Sequence, residues 1–225
     1  MRYLTDLAQP GQHAGTLLIL PPGAYHQPED FIKEGFVKAV RQRRLAIDLI
    51  MAELSFSHVA DQSALPIIHN ILIEPAITAG YENICLAGIS IGGYVAMAYA
   101  GRYPAQLAGV LLLAPYPGNR MITGEIAYAG GIHAWTPDVI PDEDTERHNW
   151  HWLKTHANAP DTEVCPIEVH FGYGEDDRFA ESYLIMAQAL PAARVDKIPG
   201  GHVWPVWQQL WHNFLDKEFG TNDHE

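Results

Sequence analysis

Short apolar runs built for strands alternate along this chain with longer stretches whose apolar residues recur at helical spacing, and that alternation constrains its fold most. A strand followed by a helix and then another strand favours a parallel sheet, because neighbouring parallel strands need a long crossover connection. Strands are expected at residues 15–20, 45–51, 83–88, 109–114, 167–172 and 194–198. Helices are expected at 29–43, 64–79, 91–102, 179–190 and 204–219, with Pro75 kinking or dividing the second. Between the strands at 109–114 and 167–172 lie about 50 residues with no strand signal, containing Trp135, Trp150, Trp152 and the acidic run Asp142-Glu143-Asp144. The reading is one domain over residues 1–225, with residues 116–164 inserted as a small cap. A chain of 225 residues can bury one sizeable core.

Composition excludes several functions. Hydrophobic residues are 48% and charged residues 18% of the chain, so it is not a disordered polymer. A net charge of −13 repels phosphate backbones and anionic membranes, so no nucleic-acid or membrane partner is expected. Cys85 and Cys165 are too few for a disulfide framework or a four-cysteine zinc site. Residues 1–6 lack the apolar stretch of a signal peptide, and no run approaches the length of a membrane span. The expectation is a soluble, cytoplasmic protein whose oligomeric state is open.

The chemistry-bearing motif is Gly88-Ile89-Ser90-Ile91-Gly92-Gly93, a G-x-S-x-G pattern between an expected strand and an expected helix. A sharp strand-to-helix turn presents the serine hydroxyl above the sheet, and flanking glycines let strand and helix approach. The N-terminal N–H groups of the helix then face any oxyanion formed beside the serine. A serine hydroxyl needs a base to become nucleophilic at neutral pH. Of 12 histidines, His202 stands in the loop between the last strand and the last helix, at the same sheet edge as Ser90. The imidazole needs a carboxylate to set its tautomer. Gly174-Glu175-Asp176-Asp177, after the strand at 167–172, supplies it; Asp177 is preferred and Asp176 is the alternative. The loop after the strand at 109–114, Pro115-Tyr116-Pro117-Gly118-Asn119, holds no carboxylate.

The order Ser90, Asp177, His202, with Gly88 to Gly93, Gly174 to Asp177 and Gly200-Gly201-His202, resembles the esterase and thioesterase branch of the α/β-hydrolase family over most of the chain. The resemblance implies an α/β fold with a mainly parallel central sheet flanked by helices. Only about 14 residues precede the first strong strand, so about six strands are expected rather than eight. It also implies an oxyanion hole formed by the N–H of Ile91 and one from the loop Pro21-Pro22-Gly23-Ala24-Tyr25-His26. The prolines have no N–H, leaving Gly23, Ala24 or Tyr25, of which Ala24 is chosen. Tyr25, Tyr94, Tyr116 and Trp204 are candidates to line the substrate pocket, with core packing as the competing role. The implied activity is cleavage of a small-molecule carboxylic ester or thioester, without cofactor or metal. Acyl transfer, C–C hydrolysis and a non-catalytic binder of the same fold remain alternatives. His148, His151 and His156 lack a third ligand at recognisable spacing and are read as cap residues.

Overall fold

The computed structural model describes residues 1–157 and 167–220, apart from the side chains of Phe56, His156 and Ala157. Cys165 lies outside them. Its strands are β1 (Tyr3–Asp6), β2 (Thr16–Leu20), β3 (Ile47–Ala52), β4 (Asn83–Ile89), β5 (Gly109–Leu113), β6 (Glu168–Gly174) and β7 (Val195–Ile198). They form one sheet in the order β1-β3-β2-β4-β5-β6-β7. Every pairing is parallel except β1 on β3, where Tyr3 faces Ala52 and Asp6 faces Leu49. The sheet therefore has seven strands where the sequence suggested about six. Strand β1 leaves no clear signal in the sequence because it is four residues long, lies at the edge and alternates exposed with half-buried positions. No continuous apolar run marks such a strand.

The helices are α1 (Pro28–Lys33), α2 (Phe36–Gln42), α3 (Phe56–Ala60), α4 (Ala64–Ile68), α5 (Glu74–Thr78), α6 (Ile91–Arg102), α7 (Arg120–Tyr128), α8 (Thr145–Ala157), α9 (Ala180–Ala187) and α10 (Trp204–Phe219). The single helix expected at 29–43 is two. Gly35 between them takes φ 81, a left-handed conformation that costs glycine little and ends α1. The expected break at Pro75 takes another form. A wide π turn over His69–Ile73 joins α4 to α5, with the Glu74 N–H donating to the His69 carbonyl. The widened turn accommodates a proline that can neither donate to the preceding turn nor fit its ring against it.

Packing divides the helices into two layers. On one, α1, α2 and α10 pack together; Phe36 stacks on Trp211, whose indole N–H donates to the Phe36 carbonyl. On the other, α6 lies against β4 and β5 and carries α4 and α8 on its outer side. Strand β5 is buried at all five positions, as a central strand covered on both faces must be.

One buried charge ties the first loop to this frame. Asp48, fully buried in β3, accepts the N–H groups of Ala8 at 2.7 Å and Ala14 at 2.9 Å, and the Tyr81 hydroxyl at 2.7 Å. Burial alone would raise its pKa; these donors outweigh it and hold the carboxyl below the usual range. Asp48→Ala leaves three donors without an acceptor and is expected to cost about 2–4 kcal/mol. Because the folded-state pKa is depressed, this stabilisation is complete above a pH of about 4 and fades on further acidification. Thermal unfolding at neutral and acid pH should show a gap between variant and wild type that narrows in acid.

Candidate active site

Ser90 ends the β4 segment and caps α6. Its N–H donates to the Leu113 carbonyl on β5 at 2.9 Å, and its own carbonyl accepts the N–H groups of Tyr94 at 3.0 Å and Tyr116 at 2.9 Å. These bonds hold Ser90 at φ 52 and ψ −115, a conformation costing a side-chain-bearing residue on the order of 1–3 kcal/mol. The turn can close only around glycine. A Cβ on Gly88 would lie 2.3 Å from the Gly92 carbonyl oxygen, and one on Gly92 would lie 2.1 Å from that of Pro21. The Ser90 side chain makes no capping bond to its own helix. The hydroxyl points elsewhere, and the first-turn N–H groups of α6 keep their partial positive charge beside it.

That direction is toward His202. Its Nε2 lies 2.9 Å from Ser90 Oγ, and its Nδ1 lies 2.6 Å from Asp177 Oδ2. The Asp177 side chain is wholly buried, and its other oxygen accepts the Phe179 N–H at 3.0 Å. An ionised carboxylate only accepts, so Nδ1 carries the proton and Nε2 presents a lone pair to the serine hydroxyl. Asp176 faces the other way: its Oδ2 accepts the Gly200 N–H at 3.0 Å, while its own N–H donates to the Gly200 carbonyl at 2.9 Å. The two loops touch so closely that a Cβ on Gly174 would sit 2.1 Å from the Gly200 carbonyl oxygen. Asp177 thus meets the imidazole, and Asp176 laces the imidazole's loop to its own.

Aromatic rings fix the imidazole plane. Phe179, centred 5.7 Å away, and Trp207, 5.0 Å away, each meet His202 at 87°. Such edge-to-face contacts favour one ring orientation. Neither ring is among the candidate site residues that the sequence offers; position 179 opens an expected helix and Trp207 falls inside another.

The loop after β2 runs beside the serine. A Cβ on Gly23 would lie 3.5 Å from the Ser90 Cβ and 3.1 Å from the ring of His26, whose N–H closes a turn onto the Gly23 carbonyl. Ala24 follows, half-buried, and Ile91 opens α6 on the other side of Ser90. Tyr25 is 91% exposed, with its backbone at φ 66, and projects into solvent. Tyr94 is buried, which raises its pKa, and lies against Tyr116. Tyr116 in turn meets Phe179, whereas Trp204 packs among His26, Phe31, Phe36 and Trp207.

Helix α8 is tied to this edge. The Asn149 amide on α8 donates to the Tyr94 carbonyl at 3.0 Å, and Glu146 accepts the Asn119 N–H at 3.1 Å in the loop after β5. Of the histidines on α8, His148 donates from Nε2 to the Pro141 carbonyl, His151 is exposed, and the His156 side chain lies outside the described residues. A cavity of about 730 Å³ between α4 and α8, along the outer side of α6, is lined by Tyr94, Val95, Arg102, His148 and Trp152 but by none of Ser90, Asp177 and His202. The thiol of Cys85 is no rival nucleophile, since burial and then the charge of Glu168 push its pKa up to about 12. Among the described residues, potential metal ligands gather at Glu168, His170 and Glu218, where the Arg194 guanidinium already binds all three. No helix among the described residues is long and apolar enough to cross a membrane.

A serine on a strained strand-to-helix turn of a mainly parallel, helix-flanked sheet defines an α/β hydrolase. The solved structures agree in fold. S-formylglutathione hydrolase from Staphylococcus aureus superposes with a TM-score of 0.62 at 13% identity, over 91% of this chain and 81% of its own. Fluorophosphonate-binding serine hydrolase F from the same organism gives 0.63 at 13% identity, over 96% and 91%. Est1E from Butyrivibrio proteoclasticus gives 0.61 at 17% identity, again over 96% and 91%. No curated protein matches the chain in sequence. Residues 78–215, which include Ser90, Asp177 and His202, match the family described as "Putative esterase". The chain belongs to this esterase family and is an ester hydrolase.

Proposed function

We propose that the chain is a serine hydrolase that cleaves a carboxylic ester or thioester through an acyl-enzyme on Ser90. One observation carries the reading: the Ser90 Oγ, His202 and Asp177 hydrogen bonds run in series, at 2.9 Å and 2.6 Å. Nε2 of His202 takes the hydroxyl proton as Oγ attacks the substrate carbonyl, and buried Asp177 stabilises the imidazolium that forms. The N–H groups of Ile91 and Ala24 receive the negative oxygen of the tetrahedral intermediate, each contributing about 3 kcal/mol. Collapse passes the proton from His202 to the leaving alcohol or thiol. A water molecule, deprotonated by the same Nε2, then releases the acid and restores the serine.

Tyr116, beside Phe179, and Trp204, beside His26, are placed in this reading along the walls of the substrate site. Residues 116–164 act as a cap, held through Asn149 to the Tyr94 carbonyl in the helix that Ser90 opens. The single-domain reading is supported by one sheet that runs from the first strand to the last. The acidic surface suits a small neutral or locally recognised substrate better than a nucleic acid.

A fluorophosphonate probe tests the nucleophile. Stoichiometric adduct at Ser90 by peptide mass spectrometry, abolished by prior denaturation, is the expected result. An unlabelled Ser90 in native protein that still hydrolyses p-nitrophenyl acetate would overturn the assignment. Kinetics across acyl-chain lengths, on paired oxygen esters and thioesters, then separates the two substrate classes.

A further inference from the structure

The neighbour of the buried acid carries a charge that the fold leaves unspent. Arg178 is exposed, and its guanidinium carbon lies 4.8 Å from the centroid of the Phe179 ring. That ring touches His202 at 5.7 Å and Tyr116 at 5.8 Å, so the cation lies one aromatic ring away from the imidazole that serves Ser90. Of the carboxylates within three residues, Glu181 makes no ion pair with Arg178 and the other three are engaged elsewhere. Glu175 pairs with Lys197 at 3.2 Å, Asp176 holds the Gly200 N–H, and Asp177 holds His202. Among the described residues no carboxylate lies within ion-pairing distance of Arg178. Arg43, Arg147, Arg194 and Lys217 all have such partners. Arg44, Arg102 and Arg120 likewise have no ion pair among the described residues, so what sets Arg178 apart is its stack on a ring that touches His202.

The stacking explains what the group is suited to bind. A guanidinium lying on a ring face is held flat by cation–π attraction while its N–H edges stay open, in the fork that matches a carboxylate. We propose that Arg178 is a specificity-determining residue that favours esters whose acyl part ends in a second, ionised carboxylate. This inference rests on the serine-hydrolase reading and extends it to a substrate class. The acyl carbonyl sits at Ser90, the chain passes Tyr116 and Phe179, and the terminal carboxylate meets the guanidinium. Chemistry at the ester is unchanged: water is consumed, the acyl–oxygen bond breaks, and a dicarboxylic acid and an alcohol leave.

The test compares chromogenic esters of matched acyl length, one ending in methyl and one in carboxylate: p-nitrophenyl hexanoate against mono-p-nitrophenyl adipate, and the octanoate against the suberate, after subtraction of spontaneous hydrolysis. At low ionic strength the wild type is expected to prefer a carboxylate-ended ester by about three- to fivefold in kcat/KM, mainly through KM, as an ion pair at an exposed site allows. Arg178→Gln should bring the ratio to about one, Arg178→Glu should invert it, and Arg178→Lys should keep part of it. A merely structural role for Arg178 would lower both members of a pair together and leave the ratio intact, which overturns the proposal. So does a wild type that prefers the methyl-ended esters. Failure of the underlying mechanism is recognised separately, because Ser90 would then take no fluorophosphonate label and Ser90→Ala would still cleave both esters.

Discussion

Replacing Ser90 with alanine is expected to lower kcat for short p-nitrophenyl esters by about 10⁵- to 10⁶-fold while leaving the protein folded. The size of the loss follows from units that act together: without the oxygen, the base and its carboxylate have no proton to move. A residue of catalysis survives, because the N–H groups beside the site and the binding of substrate still stabilise a water-driven reaction. The fold should survive because only Oγ is removed. Backbone bonds to Leu113, Tyr94 and Tyr116 hold the strained turn, and none involves the side chain. Near-wild-type circular dichroism and thermal midpoint, with hydrolysis at the background rate, is the expected result. Retention of most activity would remove Ser90 from the mechanism.

The second large effect separates two adjacent carboxylates. Asp177→Asn is expected to reduce kcat by about 10⁴-fold through the tautomer of His202 rather than through lost packing. Oδ1 of Asp177 accepts the Phe179 N–H, and Oδ2 faces Nδ1 of His202. In the variant, the amide oxygen is drawn to the Phe179 N–H and the NH₂ group turns to the imidazole. Nδ1 must then accept, Nε2 takes the hydrogen, and the atom facing Ser90 can no longer remove a proton. Asp176→Asn meets a different fate, since an amide oxygen accepts the Gly200 N–H as the carboxylate does. Its activity should stay within about tenfold of wild type, the loss of one charge at an exposed bond being modest. Steady-state kinetics on both variants decides the matter; a larger loss at Asp176 would reverse the assignment.

Much of this site is legible in the linear chain because its parts have local causes. The elbow needs glycines at 88 and 92, since any Cβ there would collide with backbone, and those residues stand in the sequence as a recognisable spacing. The loops that carry Asp177 and His202 follow strands whose apolar runs are visible, and parallel strands bring their following loops to one edge. The boundaries of α6 and α10, 91–102 and 204–219, match the periodic expectation for the same reason. Other features have no local cause. The choice between Asp176 and Asp177 depends on which carboxylate the Gly200 loop occupies, a contact between segments 24 residues apart. Tyr25, an aromatic beside the serine loop, reads as a pocket residue in sequence, yet its left-handed backbone turns it into solvent.

The sequence by itself determined the alternating strand and helix order, the serine turn and the histidine loop, because periodicity, glycine spacing and chain order act over a few residues. Only the tertiary structure decided the seventh strand, the partner of each carboxylate, and the rings of Phe179 and Trp207 that hold the imidazole upright. An edge strand is specified by the partner it pairs with. A hydrogen bond or ring contact across the fold is specified by where two distant segments come to rest, which no short window of residue types encodes.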